Sequence, residues 1–317
     1  MSERARIARL EAQLGGAAPG VRLGIGDDAA VLDPDLVWTV DAQVEGTHFD
    51  LRWVGWEDIG WRSFMAASSD LAAMGAAPVA ALSSLVLAPS FDDDALDAFA
   101  RGQAAAARTV GAPVVGGNLA RGTETSITTT LLGRAAQPVL RSGARAGDGV
   151  WLAGAVGLAA AGLGLLMQDA RVQDASIAMC LAAWRRPTAL LAQGRALGGV
   201  ASAAIDVSDG LGHDAAQLAE ASEVALVLDA RLLAALSPAA LVAAARRLGR
   251  AALDLALEGG EDYALLATSA SALPGFTRIG VVEPFAGSRL LIEDEEGKKP
   301  HVARGFDHFP VLEDAVL

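Results

Sequence analysis

The sequence predicts a mixed α/β protein of two domains. Its 317 residues are enough for two domains of ordinary size. Apolar residues make up 52% of the chain, which favours a well-packed globular protein over a disordered one. Stretches of strand length alternate with stretches of helical periodicity. Residues 133–148 interrupt this pattern with glycine, proline and charge, so we expect one α/β domain over 1–135 and a second over 136–317.

The first half alternates strands and helices. Val79–Leu87 is an apolar run of strand length, and Ser126–Gly133 is rich in β-branched residues. A helix is predicted over 92–110, where three leading aspartates favour the positive end of the helix dipole. The other predicted elements here are a strand at Leu36–Val40, a helix over 57–74 and a strand at Pro113–Gly117.

The second half opens with an uncharged segment, residues 150–167, whose length approaches that of a membrane span. Its glycines favour instead a short strand at Val150–Ala153, a turn at Gly154 and a buried Ala/Leu-rich helix. Further predicted elements are a helix in 174–197, a strand at 201–207, a helix from Leu211, and strands at 224–229, 263–268, 278–282 and 289–293.

Composition excludes several classes of function. A formal charge of -13 disfavours binding to nucleic acid or to an anionic membrane, both of which need a basic face. The two lysines, Lys298 and Lys299, are adjacent, and neither a GxxxxGK[ST] loop nor an HExxH zinc pattern occurs. Cys180 is the single cysteine, so no internal disulfide is possible. The charged N-terminus is unlike a signal peptide, and we expect a cytoplasmic location.

Six aspartates share one setting, with small or apolar neighbours at the end of a predicted element. They are Asp27, Asp28, Asp41, Asp70, Asp206 and Asp209. Any one of them has an ordinary alternative role as a helix cap or turn residue. Capping does not explain the clustered charge of GDDAA and DVSDG, because like charges brought close need a cation between them. Oxygen ligands favour Mg²⁺, and the hydroxyls of Thr39 and Ser208 lie beside these carboxylates in the sequence.

Glycines accompany the acidic residues. The pairs in PVVGGN (113–118) and LEGGED (257–262) allow a ligand to approach the backbone, although each is also an ordinary turn. The stretch 24–29 loosely fits the dinucleotide pattern GxGxxA. Carboxylates in such a loop oppose a bare pyrophosphate, so the pattern favours a nucleotide bound together with Mg²⁺.

Eight motifs occur in order from residue 24 to residue 309. They are GIGDDAAVL, TVDAQVEGTHF, SSDLAAMGAAP, VVGGNLARG, RSGARAGD, IDVSDGL, GGEDYALL and GFDHF. In this set and order the chain resembles the thiamine-monophosphate kinases, a family of the superfamily that includes aminoimidazole ribonucleotide synthetase and selenophosphate synthetase. The resemblance covers nearly the whole chain.

The resemblance implies ATP-dependent phosphorylation of thiamine monophosphate to thiamine diphosphate with several Mg²⁺ ions. It implies the two-domain fold of aminoimidazole ribonucleotide synthetase, with N-terminal domains paired into a β-barrel in a homodimer and ATP in a cleft between the domains. Positions that match metal ligands are Asp28, Thr39, Val40 through its backbone oxygen, Asp41, Asp70, Asn118, Asp206 and Asp209. Nucleotide positions are Gly117, Asn118, Arg141 and Ser208, and substrate positions are His48, Glu261 and Phe306.

Three of these positions have structural alternatives. His48 is alternatively a hydrogen-bonded structural histidine, Phe306 a core residue and Arg141 a surface arginine. If Phe306 does contact substrate, aromatic stacking on a thiazolium or pyrimidine ring is the expected role.

One residue departs from the family pattern. The family has GGD where this chain has Gly116-Gly117-Asn118, and an amide offers a carbonyl oxygen without a charge. This leaves a catalytically weak or silent nucleotide-binding homologue as the alternative function. Selenophosphate synthetase is disfavoured because no cysteine precedes Cys180. The EGTHF and GFDHF motifs disfavour aminoimidazole ribonucleotide synthetase.

The expected chemistry needs no catalytic side chain that accepts a proton. The second pKa of a phosphate monoester is about 6, so the acceptor oxygen is already anionic at neutral pH. The obstacle is repulsion between two phosphorylated molecules, which bound Mg²⁺ neutralises. We therefore expect direct in-line transfer, with a carboxylate nucleophile as the open alternative.

Overall fold

A computed structural model describes residues 3–15, 18–168, 175–302 and 305. It contains two β-sheets with helices packed against them, which confirms the predicted α/β class. The helices are α1 (Glu3–Leu14), α2 (Trp56–Ala73), α3 (Asp93–Val110), α4 (Leu158–Met167), α5 (Ala175–Arg185), α6 (Leu191–Arg195), α7 (Leu211–Ala221), α8 (Ala230–Leu236), α9 (Ala239–Leu248) and α10 (Ala252–Glu258). The strands are β1 (Val21–Leu23), β2 (Ala30–Leu32), β3 (Leu36–Val44), β4 (Ala77–Leu87), β5 (Val114–Arg121), β6 (Ser126–Arg134), β7 (Gly149–Ala153), β8 (Ala203–Val207), β9 (Val224–Asp229), β10 (Ala264–Ser269), β11 (Thr277–Pro284), β12 (Leu290–Asp294) and β13 (Gly297–Pro300).

The first sheet has the strand order β1-β2-β3-β6-β4-β5. Side chains alternate across its central strand β6, where Ile127, Thr129 and Leu131 are buried and their neighbours are half-buried. Helices α2 and α3 supply Phe64 and Ala106 to the core on the buried face. The opposite face carries exposed apolar side chains, among them Trp38 and Val40 of β3.

The second sheet has the order β13-β12-β9-β11-β7-β10-β8. Every residue of β8 is buried, and four of its five residues are apolar. Helices α4, α5 and α7 cover one face through a core that includes Leu165, Leu181 and Leu218. Asp206 is thus a charged residue inside a strand of apolar neighbours.

Helix α2 packs against both halves of the molecule. Its central residues contact the first sheet, whereas Ala72 and Ala73 pack with Leu265 and Ala267 of β10 in the second sheet. Gly194 of α6 lies against this helix, and a Cβ at that position would be 2.2 Å from the Ala72 carbonyl oxygen. Helix α2 therefore carries its C-terminal end, including Asp70, up to strand β8.

One predicted helix is shorter than its range, and one ambiguous segment is resolved. The helix predicted in 174–197 is broken, because α5 ends at Arg185 and only Leu191–Arg195 is helical again. Pro187 explains the break, since its ring disfavours helical backbone at the preceding residue. Residues 150–167 form strand β7, a turn and helix α4, as the glycines predicted. Across the described residues, the helices are all too short or too polar to cross a membrane.

Candidate metal and nucleotide site

Three carboxylates from distant parts of the chain meet where the two sheets adjoin. Asp28 precedes β2, Asp70 lies near the end of α2, and Asp206 lies on β8. An oxygen of each lies within 4.8 Å of an oxygen of the others. The structure therefore brings together three of the aspartates that the sequence predicted as metal ligands.

Burial and mutual repulsion oppose ionisation of this trio. Burial raises the pKa of Asp28 to about 6, although the Arg141 guanidinium acts in the opposite direction. Burial also raises the pKa of Asp70 and of Asp206 well above the usual range, and the neighbouring carboxylates raise both further. The Oδ2 atom of Asp28 is buried without a hydrogen-bond partner. A cation among these oxygens would remove both sources of instability.

Arg141 contacts the trio directly. Its Nη2 and Nε atoms lie 2.6 and 3.1 Å from Oδ1 of Asp28, and its Nη1 donates to Gln217 at 3.0 Å. Its backbone N–H donates to Oδ2 of Asp27 at 3.0 Å. Asp27, the neighbour of Asp28, therefore fixes the backbone of Arg141. This predicted nucleotide residue is thus an inward, charge-balancing residue and not a surface arginine.

Strand β3 contributes two further polar side chains on its buried face. The Thr39 hydroxyl donates to Oδ2 of Asp70 and lies 3.4 Å from the Asp28 carbonyl oxygen. Burial raises the pKa of Asp41 to about 6, and the charge of Asp41 in turn raises that of Asp70. Val40 points to the opposite face and is 63% exposed, so only its backbone is available to this site.

Ser208 and Asp209 belong to a neighbouring loop at the start of α7. Asp209 groups with His213 and Asp214, with ligand atoms within 4.8 Å of one another, and not with the trio. The buried Asp214 shapes the loop, because its Oδ2 accepts the backbone N–H groups of residues 208, 209 and 210 at 3.1–3.2 Å. The carbonyl of Ser208 accepts the backbone N–H of Glu261 at 2.7 Å.

Gly117 and Asn118 lie on β5, an edge strand whose residues are all exposed. A Cβ at position 117 would lie 1.8 Å from the Ser83 carbonyl oxygen, so glycine is required for this strand pairing. Asn118 is in register with Ser84 of β4. Within the part of the chain that the structure describes, no hydrogen bond joins Asn118 to the trio.

The predicted substrate residues occupy separate positions. His48 lies in the turn after β3, where its Nδ1 accepts the Val44 backbone N–H at 3.1 Å. Glu261 follows α10, and its charge acts on Asp41. Phe306 lies outside the described residues.

The sequence does not indicate two residues that support the site, or the structural role of a third. Asp27 belongs to the predicted acidic set, but its hydrogen bond with the Arg141 backbone is seen only in the structure. Asp214 lies in the first turn of α7, and its contacts with the backbone N–H groups of the preceding loop are visible only in the structure. Arg62 forms an ion pair with Glu261 across 199 positions of sequence, and no local pattern indicates such a contact.

Comparison with known proteins gives matches along most of the chain. The family model described as AIR synthase related protein, N-terminal domain, matches residues 26–135. The thiamine-monophosphate kinase of Aquifex aeolicus (strain VF5) is 32% identical over 292 residues, which cover 90% of this chain and 92% of that protein. That of Mycobacterium tuberculosis (strain ATCC 25618 / H37Rv) is 36% identical over 287 residues, covering 87% and 83%.

Solved structures give the same result. The structure of AaThiL complexed with AMPPCP and TMP superimposes with a TM-score of 0.87 at 31% identity, covering 97% of both chains. The hydrogenase maturation protein HypE is 19% identical with a TM-score of 0.67, which indicates a shared fold alone. Taken with the converging carboxylates, these similarities show that this chain belongs to the thiamine-monophosphate kinase family.

Proposed function

We propose that this protein transfers the γ-phosphate of ATP to thiamine monophosphate and so forms thiamine diphosphate. The observation that carries the proposal is the similarity over nearly the full length to AaThiL complexed with AMPPCP and TMP, an ATP analogue and the phosphate acceptor. The meeting of Asp28, Asp70 and Asp206 in one site agrees with it. The similarity favours this function over the catalytically silent alternative.

We propose that the trio, together with Thr39, Val40, Asp41, Asn118 and Asp209, holds Mg²⁺. The fit is supported by an all-oxygen donor set and by the buried, unpartnered Oδ2 of Asp28. When bound, Mg²⁺ neutralises phosphate charge and aligns the two reacting groups.

The side chains of the chain itself then have positioning roles. Arg141 supplies a permanent positive charge beside Asp28, and we propose that it also contacts the nucleotide together with Gly117, Asn118 and Ser208. Thr39 fixes Asp70 through its hydroxyl. His48, Glu261 and Phe306 are proposed to contact thiamine monophosphate. No side chain is required as a base, because the acceptor phosphate is already ionised.

The test is a coupled ADP-release assay with ATP, Mg²⁺ and thiamine monophosphate. We expect ADP formation that depends on thiamine monophosphate, with thiamine diphosphate as the product. ATP binding without such turnover, in both the natural chain and the Asn118→Asp variant, would establish the silent alternative instead.

Asn118→Asp is expected to lower the Mg²⁺ concentration that gives half-maximal activity by about three- to tenfold. An added carboxylate is a stronger ligand for a hard cation than a neutral amide. Activity titrated against Mg²⁺ in both forms checks this. Asn118→Ala is the matched control, and it should raise the Mg²⁺ requirement. An unchanged requirement in both variants would remove Asn118 from the proposed ligand set.

We also propose that residues 1–135 and 136–317 are the two domains, and that two copies pair through their first sheets into a barrel. The outer face of this sheet supports pairing, because Val40 and Leu82 lie in one cross-strand row on either side of Thr130. These two apolar side chains are 63% and 44% exposed, and Leu119 on the edge strand is 64% exposed. Apolar surface of this extent is typical of a protein interface.

Leu82→Asp is expected to convert the dimer into a monomer, because a charge would be buried in the apolar pairing face. Light scattering after size-exclusion chromatography should give twice the 32.2 kDa chain mass for the natural protein and a single chain mass for the variant. Met179→Asp, at a similarly exposed apolar position on α5, should leave the mass unchanged. A natural protein that elutes as a monomer at micromolar concentration would contradict the proposed pairing.

A further inference from the structure

A charged network outside the carboxylate trio links the two halves of the molecule at Glu261. Arg62 on α2 is fully buried, and its Nη2 forms an ion pair with Oε1 of Glu261. The indole Nε1 of Trp184, at the end of α5, donates to Oε2 of the same carboxylate at 2.6 Å. Each oxygen of Glu261 is therefore held by a donor from a different helix.

The arginine is itself tightly fixed. Its Nη1 donates to the Trp184 carbonyl oxygen at 2.9 Å, and its guanidinium lies 4.7 Å from the centre of the Trp184 ring. The arginine is thus held against the same residue that supplies the second donor. A planar guanidinium suits this combination of stacking and hydrogen bonding, which a lysine ammonium does not reproduce.

Glu261 has an unusual backbone as well as an oriented side chain. Its φ is +63°, a left-handed conformation that non-glycine residues seldom adopt. Its side chain is 24% exposed, so the carboxylate that Arg62 and Trp184 hold is still accessible to solvent. Each carboxylate oxygen can accept more than one hydrogen bond, so both retain capacity for a ligand.

We infer that Arg62 is a positioning residue for the proposed reaction, which acts by holding Glu261 in the orientation that receives thiamine monophosphate. This inference rests on the proposed function. Thiamine carries a cationic thiazolium and an aminopyrimidine N–H group, and a carboxylate fixed in direction suits either one. Arg62 also places a positive charge near Asp41, so its loss would leave two carboxylates facing each other without compensation.

The test is a double-variant cycle with Arg62→Met, Glu261→Gln and the combined variant. We expect each single change to raise the KM for thiamine monophosphate about tenfold or more, with the KM for ATP changed less than about threefold. If Arg62 acts through Glu261, the combined variant should be no more than about twofold worse than the poorer single variant, because coupled residues are not additive. Arg62→Lys should restore part of the affinity for thiamine monophosphate, since lysine keeps the positive charge but lacks the paired N–H groups of the guanidinium.

Arg185→Met is the matched control. Arg185 also joins α5 to the first half, through the Trp53 carbonyl oxygen at 2.8 Å, but it does not touch Glu261. It should leave the KM for thiamine monophosphate unchanged. Effects of Arg62→Met and Glu261→Gln that add fully, or an equal KM change in Arg185→Met, would overturn the inference.

Two further measurements keep the outcomes separate. If Arg62→Met does not fold, Trp184→Phe removes the other donor to Glu261 and should raise the same KM in the same selective way; an unchanged KM there counts against the inference. The natural protein is assayed first. If it forms no ADP in response to thiamine monophosphate, the proposed function fails, and this inference fails with it. If the natural protein turns over normally but the effects of Arg62→Met and Glu261→Gln on KM are additive, only the inference is refuted.

Discussion

Asp206→Asn is expected to reduce thiamine-dependent ADP formation by about 10³-fold or more, because it removes a central carboxylate of the proposed Mg²⁺ site. A thousandfold loss corresponds to about 4 kcal/mol of transition-state stabilisation, which is in the range of a metal's contribution to charge neutralisation. Asparagine has nearly the same shape as aspartate, so the packing of β8 is preserved. Steady-state turnover at saturating ATP measures the effect.

The same substitution should not unfold the protein. Repulsion within the trio disfavours the folded state when no metal is bound, so the metal-free variant should melt at the same temperature as the natural chain or higher. Asp97→Asn, on the exposed side of α3, is the control and should be neutral in both measurements. Near-normal turnover in Asp206→Asn would show that the trio is not the metal site.

Removal of Mg²⁺ is expected to make stability strongly dependent on pH. The pKa values of Asp28 and Asp41, two of the proposed ligands, are raised by burial to about 6, above the ordinary value of 3.8. The folded chain therefore binds more protons than the unfolded chain between these values. Without metal, the stability contributed by these groups should be fully present below about pH 4 and should be lost as the pH rises through about 6.

Added Mg²⁺ should reverse this loss, and more so at pH 8 than at pH 5, because the metal binds ionised carboxylates. At 100 times its Kd, a ligand adds about 2.7 kcal/mol to the free energy of unfolding. For a chain of 317 residues, this corresponds to a rise in Tm of roughly 4 °C. Thermal melts in EDTA and in Mg²⁺ across this pH range check it. A Mg²⁺ shift that is equal at pH 5 and pH 8 would contradict the assignment.

The sequence predicted elements best where their periodicity was long. Helices α2 and α3 and strands β4 and β6 occur close to their expected positions, because their apolar patterns continue over many residues. The strand β3 is longer than predicted, since Gln43 is buried by tertiary packing that the local pattern does not reveal. Short elements between 230 and 258 were not predicted, because Ala- and Leu-rich stretches there suit either a strand or a helix.

The site was predictable as a set of residue types and only in part as a geometry. The clustered charges of GDDAA and DVSDG required a cation whichever fold held them. The sequence did not reveal that Asp209 groups with His213, nor that Arg62 reaches Glu261, because these contacts depend on how α2 and α7 are packed. Local patterns carry no information about such distances.

The packing of α2 has a consequence for how ligands enter and leave. This helix carries Asp70 and Arg62, and its last residues are wedged between the two sheets. A hinge-like separation of the halves would have to break the Arg62–Glu261 pair and part Asp70 from Asp206 at the same time. We therefore expect the two halves to move as one rigid unit. ATP and thiamine monophosphate would then enter and leave through rearrangement of peripheral loops.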